Sequence, residues 1–477
     1  MERFAAQQVL LYKQNPSWQC FFEALQMDTL GDSPATPSYR AMMHHLANKA
    51  IIGGSRAFRQ RRKRVKADVL LCPTPYFSRE SEMHLFLKIL IGIAKTGRSI
   101  ACLMPRDVPC SLELNHLLDA HNLRSRIHFI DLLGDLNLIE RPLLRKAGLA
   151  QGEIAFDNAV DILMPHCVAP GWNTLPHFQR LARFLEAWQQ ISDQIEFESA
   201  VTRCHWMPLC AAVSRTAIER GKRAITFQQG VIGHSLDAPV TASDFVAFGD
   251  QSAVFLNALH RAFFAAVGTT EPQVSYHRAG CLFDPIVDRK GHFSQSTLLV
   301  VDYPSAQIDF YGVQTQIDAL FTLMERFLAE GHPSWRVIVR PHPHWQGLNL
   351  ASCQTLANRY PGRCEISHPS WPLDEDLNRS SAAIGIFSGV LTVASASGMP
   401  SYFLKAVNGF ATGDLACFEP EQILDQEAAW LTLKQLFTDP DAYEKASATA
   451  LRNARAYYAN GANARLDEDF FQHLLSR

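Results

Sequence analysis

The 477-residue sequence has no excess of charge of either sign. Lys and Arg number 45 against 47 Asp and Glu, a formal net charge of -2. That balance excludes a dedicated nucleic-acid binder, whose surface must neutralise phosphates. Long apolar runs are missing too. The most apolar stretch, LFLKILIGIAK from Leu85, is broken by Lys88 and Lys95 and is too short to cross a bilayer. The N-terminal MERFAAQQVLLYKQNPSWQC has no apolar core followed by a small-residue cleavage site, so it does not read as a secretory signal. The 11 cysteines form no CxxC pair and no metal-ligand rhythm, and an odd number suits no closed disulfide framework. Reduced thiols in a cytoplasmic protein are the expectation. No DxD pair stands beside a strand end, and the proline between His342 and His344 makes joint ligation of one ion awkward. Neither a metal nor a cofactor is expected, and no internal repeat or low-complexity tract is visible.

What is present is a globular composition, 47% hydrophobic and 19% charged, in a chain too long for one ordinary core. Residues 1–66 read as a helical, basic N-terminal extension. Its segment SRAFRQRRKRVK, Ser55 to Lys66, reads as a solvated helix face or as a docking site for anionic lipid or a phosphorylated partner, with Arg56–Lys66 then making a peripheral contact with the inner membrane. From Ala67, apolar runs alternate with helical patterns: ADVLLCPTP, a helix over Ser81–Thr96, SIACLMP and RIHFIDLL. Helices are predicted over Thr174–Glu198 and Leu209–Gly221, then the strand AITF, the strand SDFVAFG and a helix from Asp250. GCLFDP closes this first domain, 67–287. A second alternating series fills 288–440: STLLVVDYP, a helix over Gln314–Gly331, WRVIVR, CEIS, SAAIGIF and SYFL. Residues 441–477 are helical. Alternation of this kind implies parallel sheets built from right-handed βαβ units.

Two stretches carry chemistry. In WRVIVRPHP, Pro341 and Pro343 force the chain out of the sheet and hold Arg340 and His342 extended just past a strand end, where open parallel sheets bind ligands. In SAAIGIFSGVLTVASASGMP, a strand ends at Phe387 and Ser388-Gly389 turns into a helix over Val390–Ser397. Ser388 at the N-cap and the first free backbone N–H groups suit a phosphate, and they equally suit a serine that merely caps its own helix. The two stretches, expected on neighbouring strands, could grip one phosphate from two sides. Gln229 and Gly230, in QQGVIGH after the AITF strand, allow close backbone approach to a ligand. A catalytic base could come from His234, Asp237, His205 or Glu198. LDEDLN, Leu373 to Asn378, reads as a solvated turn or helix start.

The order of parts, a strand ending FQQGVIG, the GCLFDP closure, RPHP and then strand-Ser-Gly-helix-GMP-strand, resembles bacterial surface-polysaccharide glycosyltransferases of the GT-B fold. Similar families are Kdo transferases, sialyl- and polysialyltransferases, and CDP-glycerol transferases. The resemblance implies two Rossmann-like parallel-sheet domains facing each other across a cleft, with a C-terminal helix packing back. It implies a nucleotide-sugar donor, such as CMP-Kdo or another CMP-linked ulosonic acid, and a glycan or lipid-linked glycan acceptor. The family's His-Pro and serine motifs fall on His342-Pro343 and Ser388. The residues themselves add Arg340, Gly389, Thr392, Ser395, Gln229 and Gly230 as candidate binding groups, and His342, with His234 or Asp237 as base, as candidate catalytic groups. The chain departs from the CDP-glycerol pattern in placing Gln229 where a histidine precedes glycine. It also lacks the acidic pair before glycine of some sialyltransferases. Glycerol- or ribitol-phosphate transfer, sugar-nucleotide epimerisation and a non-catalytic assembly role remain alternatives.

Overall fold

The computed structural model describes residues 2–14, 64–73, 80–104, 122–131, 191–232, 237–282, 296–302, 314–341, 350–368, 371–405, 413–461 and 463–476, with short pieces at 119–120, 185, 188–189, 286 and 293. In chain order the first half holds α1 (Glu2–Gln14), β1 (Val65–Lys66), β2 (Val69–Cys72), α2 (Glu80–Lys95), β3 (Ile100–Met104), β4 (Ile127–Asp131), β5 (Ile195–Glu196), β6 (Ser199–Thr202), α3 (Pro208–Glu219), β7 (Arg223–Phe227), β8 (Asp244–Ala247), α4 (Asp250–Val267) and β9 (Ser275–Arg278). The second half holds β10 (Thr297–Val301), α5 (Gln314–Glu330), β11 (Arg336–Arg340), α6 (Leu350–Arg359), β12 (Cys364–Ile366), α7 (Leu373–Asn378), β13 (Ala382–Gly385), α8 (Gly389–Ala396), β14 (Ser401–Leu404), β15 (Ile423–Leu424), α9 (Gln426–Leu436), α10 (Pro440–Tyr457) and α11 (Glu468–Leu475).

The strands form a seven-stranded sheet, β4-β3-β2-β6-β7-β8-β9, and a six-stranded sheet, β12-β11-β10-β13-β14-β15, while β1 and β5 pair separately. Every pairing between named strands is parallel. Strands such as VLLC, SAVT and TLLVV are buried along their whole length. They read as continuous apolar or small-residue runs because a parallel sheet is covered on both faces. In each sheet the chain winds outward from one strand and then returns to its other side. The reversal lies between β2 and β6 in the first sheet and between β10 and β13 in the second. Two Rossmann-like domains therefore each carry one switch point at the carboxyl ends of their strands.

The C-terminal helices tie the domains together. Helix α10 starts on the second domain, where Tyr443 donates from its hydroxyl to the Ser381 carbonyl at 3.0 Å. It ends on the first, where the Ala459 N–H donates to the Phe248 carbonyl at 2.8 Å. Only glycine fits at 249, since a Cβ there would sit 2.2 Å from the Tyr457 carbonyl oxygen. Helix α11 lies on α2, where a Cβ at Gly92 would come within 2.6 Å of the Leu466 carbonyl and the Phe471 ring. Arg98 and Arg223 donate to the carbonyls of Leu475 and Leu474, satisfying the acceptors at the end of α11. One apolar cluster joins Val69 and Leu71 of the first sheet to Phe403 of the second, and to Leu391 of α8 and Met399 after it, through Tyr457, Tyr458 and Phe471. At the other end, α1 rests on α4 through edge-on contacts of Tyr12 with Phe263 and Phe264.

The parallel α/β architecture and the returning C-terminal helix match the sequence expectation. Two local expectations do not. The helix predicted over Thr174–Glu198 gives way before Ile195 to β5, and β6 follows at once. The last four residues of the predicted helix, IEFE, are extended instead, with Ile195 and Phe197 buried while Glu196 and Glu198 face outward. The second is the arrangement of the histidine and serine stretches. They follow β11 and β13, which are separated by β10 rather than adjacent.

A candidate functional site where the two sheets meet

The carboxyl ends of the two sheets come together through one carboxylate. Asp414, at the start of a short 3-10 turn (Gly413–Phe418) between β14 and β15, is 1% exposed. Its backbone N–H donates to the Ile232 carbonyl at 2.8 Å, and the Ile232 N–H donates back to Asp414 Oδ1 at 3.1 Å. Asp414 Oδ2 accepts from Ser252 Oγ at 2.6 Å, Tyr457 Oη at 3.0 Å and Gln228 Nε2 at 3.2 Å. Ile232 and Gln228 belong to the loop that leaves β7, so that loop is bound directly to the second domain. Burial outweighs these hydrogen bonds and lifts the Asp414 carboxyl to about 7.

The same loop is held from its own domain. Gln228 Oε1 accepts from the Phe248 N–H at 2.7 Å. Arg203, 3% exposed and just past β6, donates to the Gln228 carbonyl at 3.3 Å. Gln229 and Gly230 follow, half-buried, and a Cβ at Gly230 would meet nothing within 4 Å. His234 lies outside the described residues. Asp237 is half-buried, and its carbonyl accepts from His205 Nε2 at 2.7 Å. Burial pushes the His205 imidazole down to about 4, so the ring is neutral and a weak base near pH 7. Glu198 sits at the amino end of β6 and pairs with Lys222 at 2.9 Å, on the far edge of the sheet from this loop. Among the described base candidates, only Asp237 stands beside the loop with some exposure.

In the second domain, α8 begins at the switch point. Ser388 is the N-cap, and its Oγ accepts from the Val390 N–H at 3.2 Å. Gly385, ending β13, is packed so closely that a Cβ would lie 2.8 Å from the Val301 carbonyl, which draws β10 and β13 together below the turn. Ser388 and Gly389 are half-buried at the start of the helix. Thr392 and Ser395, expected on the nucleotide, have no exposed surface. Thr392 Oγ1 shares a hydrogen bond with Tyr458 Oη at 2.6 Å and donates to the Gly389 carbonyl at 2.7 Å. Ser395 Oγ accepts from Gln422 Nε2 at 3.0 Å. Both hydroxyls are spent on packing α8 against α10 and the β15 edge.

Arg340 turns inward. Its guanidinium pairs with Asp376 and also donates to the Trp371 carbonyl at 3.3–3.4 Å. Asp376 is fully buried, and its Oδ2 also accepts from Ser367 Oγ at 2.6 Å. LDEDLN is thus the helix start of the two readings, forming α7, and not a solvated turn: its third carboxylate anchors the end of β11. His342 and Pro343 lie outside the described residues, as does most of the basic segment, Arg56 to Lys63. Asp414, Ser252, Tyr457 and Asp376 were not foreseen. Asp414's partners lie 43 to 186 positions away in sequence, and no local spacing reports such a cluster.

Among the described residues, no helix is long and apolar enough to cross a membrane, and no group of three or more His, Cys, Asp or Glu side chains could hold a metal ion. No family model and no curated protein matches the sequence. Among solved structures, the chain is similar to HepE of Anabaena in complex with UDP and glucose, at 10% identity over 86% of this chain and 100% of that one, TM-score 0.49. It is similar to a UDP-N-acetylglucosamine 2-epimerase, at 14% identity over 87% and 98%, TM-score 0.48. It is also similar to MurG of Acinetobacter baumannii, at 14% identity over 86% and 98%, TM-score 0.40. Likenesses this distant assign neither a substrate nor a reaction.

Proposed function

We propose that this chain is a GT-B glycosyltransferase that moves a sugar from a nucleotide-activated donor, CMP-Kdo or another CMP-linked ulosonic acid, to a bacterial surface glycan. The observation that carries the reading is the direct contact between the loop past β7 and the turn past β14. It brings the carboxyl ends of two parallel sheets, each with a switch point, to one interface. Ser388 and the Gly389 backbone would receive the donor phosphate at the positive end of α8. His342 would supply charge or a proton to the departing nucleotide, while Arg340, engaged with Asp376, would hold the start of that loop in place. Gln229 and Gly230 would wall the acceptor side, with His234 or Asp237 taking the proton of the attacking hydroxyl.

A thermal-shift screen of the purified chain against CMP, CDP, UDP, GDP and their sugars tests the donor. A ligand that binds only the folded state raises its apparent stability. Stabilisation by cytidine nucleotides above all others is the expected result. A preference for UDP or GDP, or no shift with any nucleotide, contradicts the donor assignment. Conversion of a sugar nucleotide without an acceptor would favour the epimerase alternative, and a phosphate-containing product from CDP-glycerol would favour phosphotransfer.

A further inference from the structure

Asp414 stands out as a side chain whose four hydrogen-bond donors come from three segments, the loop past β7, α4 and α10, and carry no charge: the Ile232 N–H, Gln228 Nε2, Ser252 Oγ and Tyr457 Oη. The orientation of the cluster is fixed by groups that can only donate. The Phe248 N–H requires Gln228 Oε1 to face it, which turns Gln228 Nε2 toward Asp414 and toward the Gly230 carbonyl at 2.8 Å. The Ile232 N–H likewise requires an acceptor at Oδ1. Only the Ser252 and Tyr457 hydroxyls can reverse. A proton on Oδ2 can therefore be accommodated by turning one hydroxyl round, with the two contacts to the Gln228–Ile232 loop kept.

We propose that Asp414 is a positioning residue for the transfer reaction: from the donor-side domain it clamps the Gln228–Ile232 loop of the acceptor-side domain, and the charge state of this one buried carboxyl sets how firmly the loop is held. The inference rests on the reading of that loop as the acceptor wall. The titratable groups facing Asp414 are Tyr457 and Tyr458 on α10, Cys417 on its own turn and Asp237 beyond Ile232. None of these is a cation, the buried Arg203 guanidinium being placed on the Gln228 carbonyl, and Asp237 opposes ionisation. With burial added, the carboxyl titrates at about 7. Below that, the neutral acid sits in the closed contact without a desolvated charge. Above it, the carboxylate gains by admitting water, so rising pH favours release of the loop.

Hydrogen exchange of the full chain without any ligand, followed from pH 5 to 8 and corrected for intrinsic base catalysis, tests this. Because no nucleotide is present, the outcome is independent of whether the donor assignment holds. Protection of the 228–232 amides should fall by up to about tenfold per pH unit toward pH 7 and then level off, while β3 and β10 do not follow. Asp414→Asn should abolish the pH dependence. Tyr457→Phe, which withdraws one donor from the carboxylate, should move the inflection to higher pH. The same pH course in Asp414→Asn overturns the proposal, as does a fall of β3 and β10 in step with the loop. Should Asp414→Asn fail to fold, an unmoved inflection in Tyr457→Phe overturns it instead.

Discussion

Two buried carboxylates at the carboxyl end of the second sheet make opposite use of burial. Asp376 has a guanidinium within reach and a serine hydroxyl beside it, all within one domain. Asp414 has only neutral donors, and all four belong to the other domain or to the returning helix. A compensated buried charge behaves as a fixed strut whose loss is costly. An uncompensated one keeps its proton up to neutrality and can respond to its surroundings. The contrast separates a charge pair within the second domain, where Arg340 and Asp376 fix the end of β11, from an interface contact built on neutral donors.

Removing the cation from the compensated pair is the sharpest way to break this contrast. Arg340→Met should destabilise the chain by about 3–5 kcal/mol, because it strands the Asp376 charge, and Arg340→Met with Asp376→Leu should recover most of the loss. Denaturant unfolding at pH 7 measures both, and a negligible loss in the single variant would refute the strut. Next comes the pH dependence of Asp414. Its folded value near 7 lies above that of an unfolded carboxyl, so the folded state holds the extra proton between about pH 4 and 7. Stability from this group is present at the acid end and declines as pH rises through that window, by roughly 4 kcal/mol in the limit. Unfolding curves for the native chain and Asp414→Asn should converge in slope above pH 7 and differ below it, and parallel curves throughout would contradict the assignment.

Smaller effects sharpen the picture. Thr392→Val removes one of the two side-chain hydrogen bonds of the buried Tyr458 hydroxyl, the other being with Cys281, and should cost about 1 kcal/mol, with nucleotide affinity unchanged, since Thr392 is spent on packing. Equal loss of affinity and stability would return Thr392 to the binding site. Ser388→Ala should cost about 1 kcal/mol through the lost cap and also weaken nucleotide binding. A stability loss alone would leave Ser388 as a cap and nothing more.

Much of the fold was legible because its signals are local. Strands such as STLLVV and WRVIVR are apolar runs bounded by proline or polar turns, and Ser388 marks the start of α8 as expected, while Gly398, at φ 79°, follows its end. What stayed hidden depends on partners remote in sequence. The central strand β6 is SAVT, too short and too small-sided to stand out beside the helical pattern before it. Strand β9 carries an exposed and partly buried edge without alternation strong enough to notice. At the site, the prolines and the Ser-Gly turn flag the loops, but only the folded chain reveals that Arg340 faces Asp376. The cluster around Asp414 is assembled from the loop past β7, α4, α10 and the turn after β14, and no stretch of sequence announces it.

The central claim is that the nucleotide sits where the two sheets' carboxyl ends meet. It is tested most directly by the hydrogen-exchange footprint of CMP on the intact chain. The expected result is protection of the amides that open α8, from Gly389 to Leu391, together with the segment that follows Arg340, leaving the amino ends of both sheets unchanged. Protection confined to the amino ends, or none at saturating CMP, would contradict it.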